Sequence, residues 1–246
     1  MIIHGDCMLA MKEMPDKAFE LAIVDPPYGI NAPNMNMGSL PKGGENHFPA
    51  VSVAERLRKG RLNGGAGKLK NRNIQKMALA WDYEKPLPEY FSELRRVSVN
   101  QIIFGGNYFD LGPTRCVICW DKVQPWNNFS QWEMAWTSFD MPTALFSLAN
   151  FGIGKIHPTQ KPVRLYEWLL KNYAKPGDKI LDTHLGSGSI AIACYNLGFE
   201  LTGYEIDEEY FRAAKERLER HMRQGRLFEP ESNKDIDQAN WLKGKP

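Results

Sequence analysis

The apolar positions of this chain change period several times, and each change marks an element. Phe19-Glu20-Leu21-Ala22-Ile23-Val24 is a nearly continuous apolar run of strand length, the pattern of a parallel strand buried on both faces. Ile2-Ile3 is a shorter strand stub, and residues 8–14 predict a short helix between the two. Residues 88–98 predict a helix and Gln101-Ile102-Ile103-Phe104 a strand, and 115–120, 133–138 and 143–148 predict three more strands with turn chemistry between them. After Pro162, a good first-turn residue, Leu165, Tyr166, Leu169, Leu170 and Tyr173 recur at helical spacing. Lys179-Ile180-Leu181-Asp182 then predicts a strand, Leu185-Gly186-Ser187-Gly188 a turn, and Ser189 to Leu197 an apolar helix closed by Gly198. Leu201-Thr202-Gly203-Tyr204 is the next strand, ending in Glu205. An amphipathic helix follows from near Asp207, acidic in its first turn, with Arg217, Arg220 and Arg223 late. Strands alternating with helices predict an α/β fold, a mostly parallel twisted sheet with helices on both faces and right-handed crossovers. The chain shows no internal repeat.

Composition narrows the class. The chain has 246 residues, of which 43% are apolar and 11% aromatic, enough to bury a core without metal or disulfide staples. That share excludes global disorder, and 21 Gly with 16 Pro exclude a collagen-like or low-complexity chain. No run approaches the ~18 apolar residues of a membrane span. The start, MIIHGDCMLA, lacks the basic region and cleavage site of a secretory signal. Four cysteines without disulfide-scaffold spacing fit a reducing compartment, so the expectation is a soluble cytoplasmic protein.

Net charge of +2 hides an asymmetry. Residues 31–80 hold five Lys and four Arg against only Glu45 and Glu55, with seven Gly and seven Asn. Such a stretch buries little surface, and its local charge of +7 suits either a solvated insertion or a partner rich in phosphate. The expected organisation is one domain over 1–228, with 31–80 inserted as a basic loop, and a polar tail over 229–246.

Two strand ends carry candidate chemistry, because ligands of doubly wound sheets sit beyond the carboxyl ends of the strands. In the first, Asp182-x-x-x-Gly186-Ser187-Gly188-x-x-Ala191 is followed by Glu205, seventeen residues after Gly188. Gly186 permits a tight turn, Gly188 close backbone approach, and Glu205 is placed to accept hydrogen bonds from ribose hydroxyls. A nucleoside-bearing cofactor follows, either a dinucleotide or S-adenosylmethionine. In the second, Asp25-Pro26-Pro27-Tyr28 directly follows the buried strand 19–24. Successive prolines hold the chain extended and remove two N–H donors. A carboxylate, the Pro26 carbonyl and an aromatic face then suit a planar group bearing an amine.

DPPYG at 25–29, HPTQKP at 157–162 and the Asp182–Glu205 segment resemble the amino-methyltransferases that act on DNA. With DPPY ahead of the Gly-rich loop, the order is similar to the circularly permuted β class, and Asp before Pro-Pro-Tyr resembles its adenine-N6 members. The resemblance runs from Ile3 to about Leu218 and includes Gly5-Asp6-Cys7 and the FGGNYF string at 104–109. It implies a Rossmann-like S-adenosylmethionine-dependent fold that methylates a flipped adenine in double-stranded DNA, of restriction-modification or phage type, with a homodimer as a further expectation. It implies that Asp25, Pro26, Pro27 and Tyr28 hold the base amine. For the cofactor it implies Asp6, Cys7, Asp25, Thr159, Lys161, Asp182, His184, Leu185, Gly186, Ser187, Gly188 and Glu205. Thr183-His184 departs from the family's usual Pro-Phe, with His184 expected to pack as the Phe would. Only about 15 residues separate Phe139 from the HPTQKP segment, so the recognition region is expected in the basic insertion instead. Alternatives are N4-cytosine methylation, protein-glutamine methylation, an NAD-binding oxidoreductase and a catalytically silent DNA-binding module.

Arg56, Arg58, Lys59, Arg61, Lys68, Lys70 and Arg72 are the candidate phosphate contacts of the insertion, with Lys122 outside it. Trp120, Trp126, Trp132 and Trp136 flank Lys122 and suit either base stacking or core packing. Cys116-x-x-Cys119 lies in a strand-like run without a second Cys or His pair and reads as structural, as do His4 and His221. No metal is expected.

Overall fold

A computed structural model describes residues 1–30, 82, 84–124, 130–150, 156, 157 and 159–224. In chain order these form β1 (Ile2–His4), α1 (Cys7–Glu13), β2 (Phe19–Val24), α2 (Pro88–Val97), β3 (Ser98–Phe104), β4 (Val117–Asp121), β5 (Trp132–Thr137) and β6 (Ala144–Ser147). Then come α3 (Val163–Tyr173), β7 (Lys179–Asp182), α4 (Ser189–Leu197), β8 (Glu200–Glu205) and α5 (Glu208–Arg223). The sheet has eight strands in the order β1-β8-β7-β2-β3-β5-β4-β6. Every neighbouring pair is parallel except β3 with β5 and β5 with β4, so β5 alone runs against the other seven.

Period-two alternation sorts each strand's side chains onto two layers. Leu21, Ile23, Ile102, Phe104 and Ile180 pack in one core with Leu165, Leu169 and Leu170 of α3, Ala191 and Ala193 of α4, and Ala214 of α5. Ala22, Val24, Ile103 and Leu181 face the other core, with Met11 of α1 and Tyr90, Phe91, Leu94 and Val97 of α2. Helices therefore cover both faces, as the sequence pattern predicts. Leu165, Leu169 and Leu170 are fully buried, each contributing roughly 1.5–3 kcal/mol.

Local chemistry fixes the helix ends nearest the site. Asp6 caps α1 by accepting from the Met8 N–H at 2.7 Å, and Asp207 caps α5 by accepting from the Glu209 and Tyr210 N–H groups at 2.9 Å. Both caps lie at one edge of the sheet, because β1 pairs β8 with His4 opposite Glu205. The β3 strand is longer than the sequence pattern predicts, starting at Ser98 where α2 ends. Ser98 is fully buried, its hydroxyl donating to the Leu94 carbonyl at 2.5 Å, so packing rather than apolar content extends the strand.

Candidate active site

Chain order reverses between β7 and β2: from β2 the sheet builds outward to β3, and from β7 to β8 in the other direction. Crevices at such switch points bind ligands, and here the two candidate motifs meet. Asp25 leaves the end of β2 and Asp182 ends β7, with Ala22 paired to Leu181 between them.

Asp25 stands in a closed ring of hydrogen bonds. Its Oδ1 accepts from the Tyr28 hydroxyl at 2.5 Å, and its Oδ2 accepts from Lys161 Nζ. The same Tyr28 hydroxyl lies 2.9 Å from Glu133 Oε1, and the same ammonium lies 2.7 Å from it. Glu133 Oε2 in turn pairs with Lys122 Nζ at 2.8 Å. Two ammonium groups thus face two carboxylates, and the Lys161 side chain is 3% exposed. Its charge also sits 4.5 Å from the centre of the Phe104 ring, within cation–π range. Burial pushes the Asp25 carboxyl up, opposed by Lys161, while Glu133 adds to the rise. Burial would raise Glu133 as well, but Lys161 and Lys122 outweigh it and hold that carboxyl at about 2.

Tyr28 is gripped on all sides. Its N–H and that of Gly29 donate to Asp82 Oδ1 at 2.6 and 2.9 Å, and its ring stacks on Tyr108 with centroids 4.8 Å apart. Gly105, at φ +68°, brings the β3 turn against the same ring. Both lie in the 104–109 string.

Across the switch point the Gly-rich turn is organised by Glu205. Its Oε2 accepts from the Gly186 N–H at 2.7 Å and its Oε1 from the Asp207 N–H at 3.0 Å. Each carboxylate oxygen retains a lone pair for a further donor. Leu185 is buried and its N–H donates to the Tyr204 carbonyl at 2.8 Å. Asp182 Oδ1 accepts from the His184 N–H at 3.0 Å, and burial raises its carboxyl to about 8. The His184 ring joins a buried chain, Tyr90 hydroxyl to Thr183 hydroxyl at 2.6 Å and Thr183 to His184 Nδ1 at 2.9 Å. Burial drops this imidazole to about 4, and the neighbouring His157 to about 3. Thr159 bonds His157 Nδ1 through its hydroxyl at 3.1 Å, and the His157 ring leans on Tyr210 at 4.4 Å. The Tyr210 hydroxyl is buried and has no hydrogen-bond partner among the described residues. Cys7, beside Asp6 and partly buried, has its thiol pushed up to about 12 by burial first and Asp6 second.

The two halves are tied together. The Ser189 hydroxyl, opening α4, donates to the Lys161 carbonyl at 2.7 Å, and Arg217 of α5 donates to the Ser187 carbonyl at 2.7 Å and to Ser189 Oγ at 2.9 Å. These bonds link the Gly-rich turn to the Lys161 backbone.

One expectation needs revision. Lys122 is 6% exposed and spent on Glu133, which is no geometry for a DNA phosphate contact. Lys161, expected near the cofactor, pairs with the Asp25 carboxylate, which the same expectation placed there. Gly188 stands at φ +69°, and a Cβ there would also lie 3.1 Å from the Ala214 Cβ, so the bare backbone suits helix packing as well as the turn. Of the tryptophans, Trp120 and Trp136 are buried with their indole N–H groups bonded to the Leu148 and Gly112 carbonyls, whereas Trp132 is 53% exposed. Trp126, the basic cluster Arg56 to Arg72 and the tail lie outside the described residues. Sequence reasoning missed Glu133, Asp82, Tyr90, Ser189 and Arg217. Only Glu133 left a trace, as an acid at the head of the apolar run 134–136.

The family model for N6/N4-type DNA methylase matches residues 119–216. The type II methyltransferase M2.DpnII of Streptococcus pneumoniae is 26% identical over an alignment covering 89% of each chain. M.HpaI of Haemophilus parainfluenzae, also a type II methyltransferase, is 43% identical over 65 residues, 26% of this chain and 21% of that protein. Among solved structures, M1.HpyAVI aligns with a TM-score of 0.50 at 18% identity, covering 89% of this chain and 98% of that one. The cytosine-N4-specific PvuII DNA methyltransferase aligns with a TM-score of 0.51 at 12% identity, covering 91% of each. These two structures are similar in fold.

Proposed function

We infer that this chain is a DNA amino-methyltransferase that transfers a methyl group from S-adenosylmethionine to the exocyclic N6 of adenine in DNA, a reading its similarity to DNA methylases supports. The observation that carries the reading is the convergence at one switch point of Asp25-Pro26-Pro27-Tyr28 with the Asp182–Glu205 turn.

The residues at the second motif fit the cofactor. Glu205 keeps lone pairs for ribose hydroxyls, and the orphaned Tyr210 hydroxyl is a buried polar atom of the kind a ligand satisfies. Asp6 and Glu205 place carboxylates at this edge, which suits a cation. Glu205, Asp182, His184, Leu185, Gly186 and Ser187 would hold the cofactor, with Asp6, Cys7 and Thr159 around it. When bound, it supplies an electrophilic methyl group on a sulfonium sulfur.

The protein's part is to make a poor nucleophile attack. An aromatic-ring amine delocalises its lone pair into the ring. Accepting its two N–H hydrogens at Asp25 and at the Pro26 carbonyl localises that pair on nitrogen, aimed along the line of attack. Pro26 and Pro27 keep the carbonyl in place because neither contributes an N–H and both have a fixed φ. The amine is paired inside a duplex, so the base must be flipped out to reach Asp25. Base flipping and a homodimer belong to this reading. Among the described residues no helix is long and apolar enough to cross a membrane.

Modification-sensitive sequencing of DNA from cells expressing the chain is the test, since it separates N6-methyladenine from N4-methylcytosine and from no modification. Asp25→Ala should abolish the mark while S-adenosylmethionine still binds in calorimetry. Residual turnover within tenfold of wild type would correspond to only ~1.4 kcal/mol of lost transition-state stabilisation and would remove Asp25 from the reaction.

A further inference from the structure

Tyr28 and Lys161, the side chains that donate to Asp25 among the described residues, also lie within hydrogen-bond distance of Glu133, so the single Tyr28 hydroxyl proton can turn to either carboxylate. Tyr28 Oη lies 2.5 Å from Asp25 Oδ1 and 2.9 Å from Glu133 Oε1, and Lys161 Nζ bridges Asp25 Oδ2 and Glu133 Oε1. Glu133 reaches this place because β5 is reversed. Its first residues, not its last, lie at the edge where the other strands end. Trp120 stands opposite Glu133 in the ladder, which sets Lys122, just past the end of β4, against its second oxygen.

We propose that Glu133 is a positioning residue for methyl transfer, anchoring Lys161 and Tyr28 so that the Asp25 carboxylate is free to receive the target amine and then its proton. The proposal rests on the amino-methyltransferase reading above. An amine arriving at Asp25 needs an acceptor position that Tyr28 and Lys161 now occupy. A buried ammonium left without an acceptor is strongly unfavourable. Glu133 removes that obstacle, because both donors already have a second acceptor in place.

Charge balance points the same way. As the amine lone pair forms the new N–C bond, the C–S bond breaks with its electrons going to sulfur, and one N–H proton passes to Asp25. Lys161 and Lys122 then still face an ionised Glu133. The opposite tuning of the two carboxyls, Asp25 upward and Glu133 to about 2, suits one proton acceptor and one permanent counter-ion. Tyr28, Lys161 and Glu133 touch or face Asp25 directly, and Asp182, Tyr90 and Tyr166 lie within its field.

The experiment is a pH profile of kcat and KM for wild type, Glu133→Gln and Glu133→Asp, on duplex DNA carrying the sequence found modified in cells. Removing the Glu133 charge lowers Asp25, so the acid limb of kcat for Glu133→Gln should move to lower pH by about one unit or more. Its plateau kcat should fall about tenfold or more while KM for S-adenosylmethionine stays within about twofold, and Glu133→Asp should recover part of the loss. An acid limb that stays in place, whatever the plateau, overturns the proposal. If Glu133→Gln no longer binds S-adenosylmethionine, Lys122→Gln/Glu133→Gln, which removes one charge of each sign, is judged by the same limb. Wild-type protein that methylates no DNA would instead overturn the underlying reading.

Discussion

Replacing Gly105 by alanine places a methyl group where the Tyr28 ring already lies. The new Cβ would sit 2.2 Å from Tyr28 Cε1 and 2.6 Å from Cζ, at a φ of +68°. The backbone cannot simply withdraw, since the Gly105 N–H donates to the Met134 carbonyl at 2.8 Å. The left-handed conformation costs an L-residue about 1–2 kcal/mol, and forcing the ring aside adds about 1–3 kcal/mol. Together these give about 2–5 kcal/mol, a fall in Tm of about 4–20 °C for a chain of this size. Tyr28 can make room only by drawing its hydroxyl away from Asp25 and Glu133, so turnover should fall by at least about tenfold, or ~1.4 kcal/mol. Gly112→Ala is the control. Gly112 also has a positive φ, +78°, but nothing lies within 4 Å of its would-be Cβ, so only the conformational cost remains. Thermal unfolding followed by circular dichroism, with methylation rates on the same preparations, measures both. If Gly105→Ala melts within about 2 °C of Gly112→Ala and turns over like wild type, the contact between the 104–109 turn and the Asp25 ring has no functional weight.

Two further outcomes follow from the same geometry and from the charge pattern. Glu205→Ala should weaken S-adenosylmethionine binding by about 1–3 kcal/mol in calorimetry, because the ribose loses an acceptor and the Gly186 and Asp207 N–H groups lose theirs; an unchanged affinity would remove Glu205 from the cofactor site. Replacing Arg58, Lys59 and Arg61 with alanine should flatten the slope of log DNA affinity against log salt by about two to three units if all three touch phosphate, and parallel lines would leave the 31–80 insertion as solvated decoration.

Local chemistry made much of this protein legible in its sequence. The β2 run and the Ser189–Leu197 helix follow from apolar periodicity, and the start of α5 near Asp207 from amphipathic spacing with acids in its first turn. Each of these depends on residues a few positions apart, whose effects on backbone conformation hardly change with surroundings. What the sequence left open depends on pairing between distant segments. The run 132–137 alternates identically whichever way it points, so its reversal was decided by sheet assembly, and with it the position of Glu133. The same assembly turned Lys122 from an expected DNA contact into a buried counter-ion and gave Gly188 a helix to pack against. A lone acid or lysine carries no local signature of its partner. Burial decides whether it faces water or must find an opposite charge, and burial is a property of the folded chain.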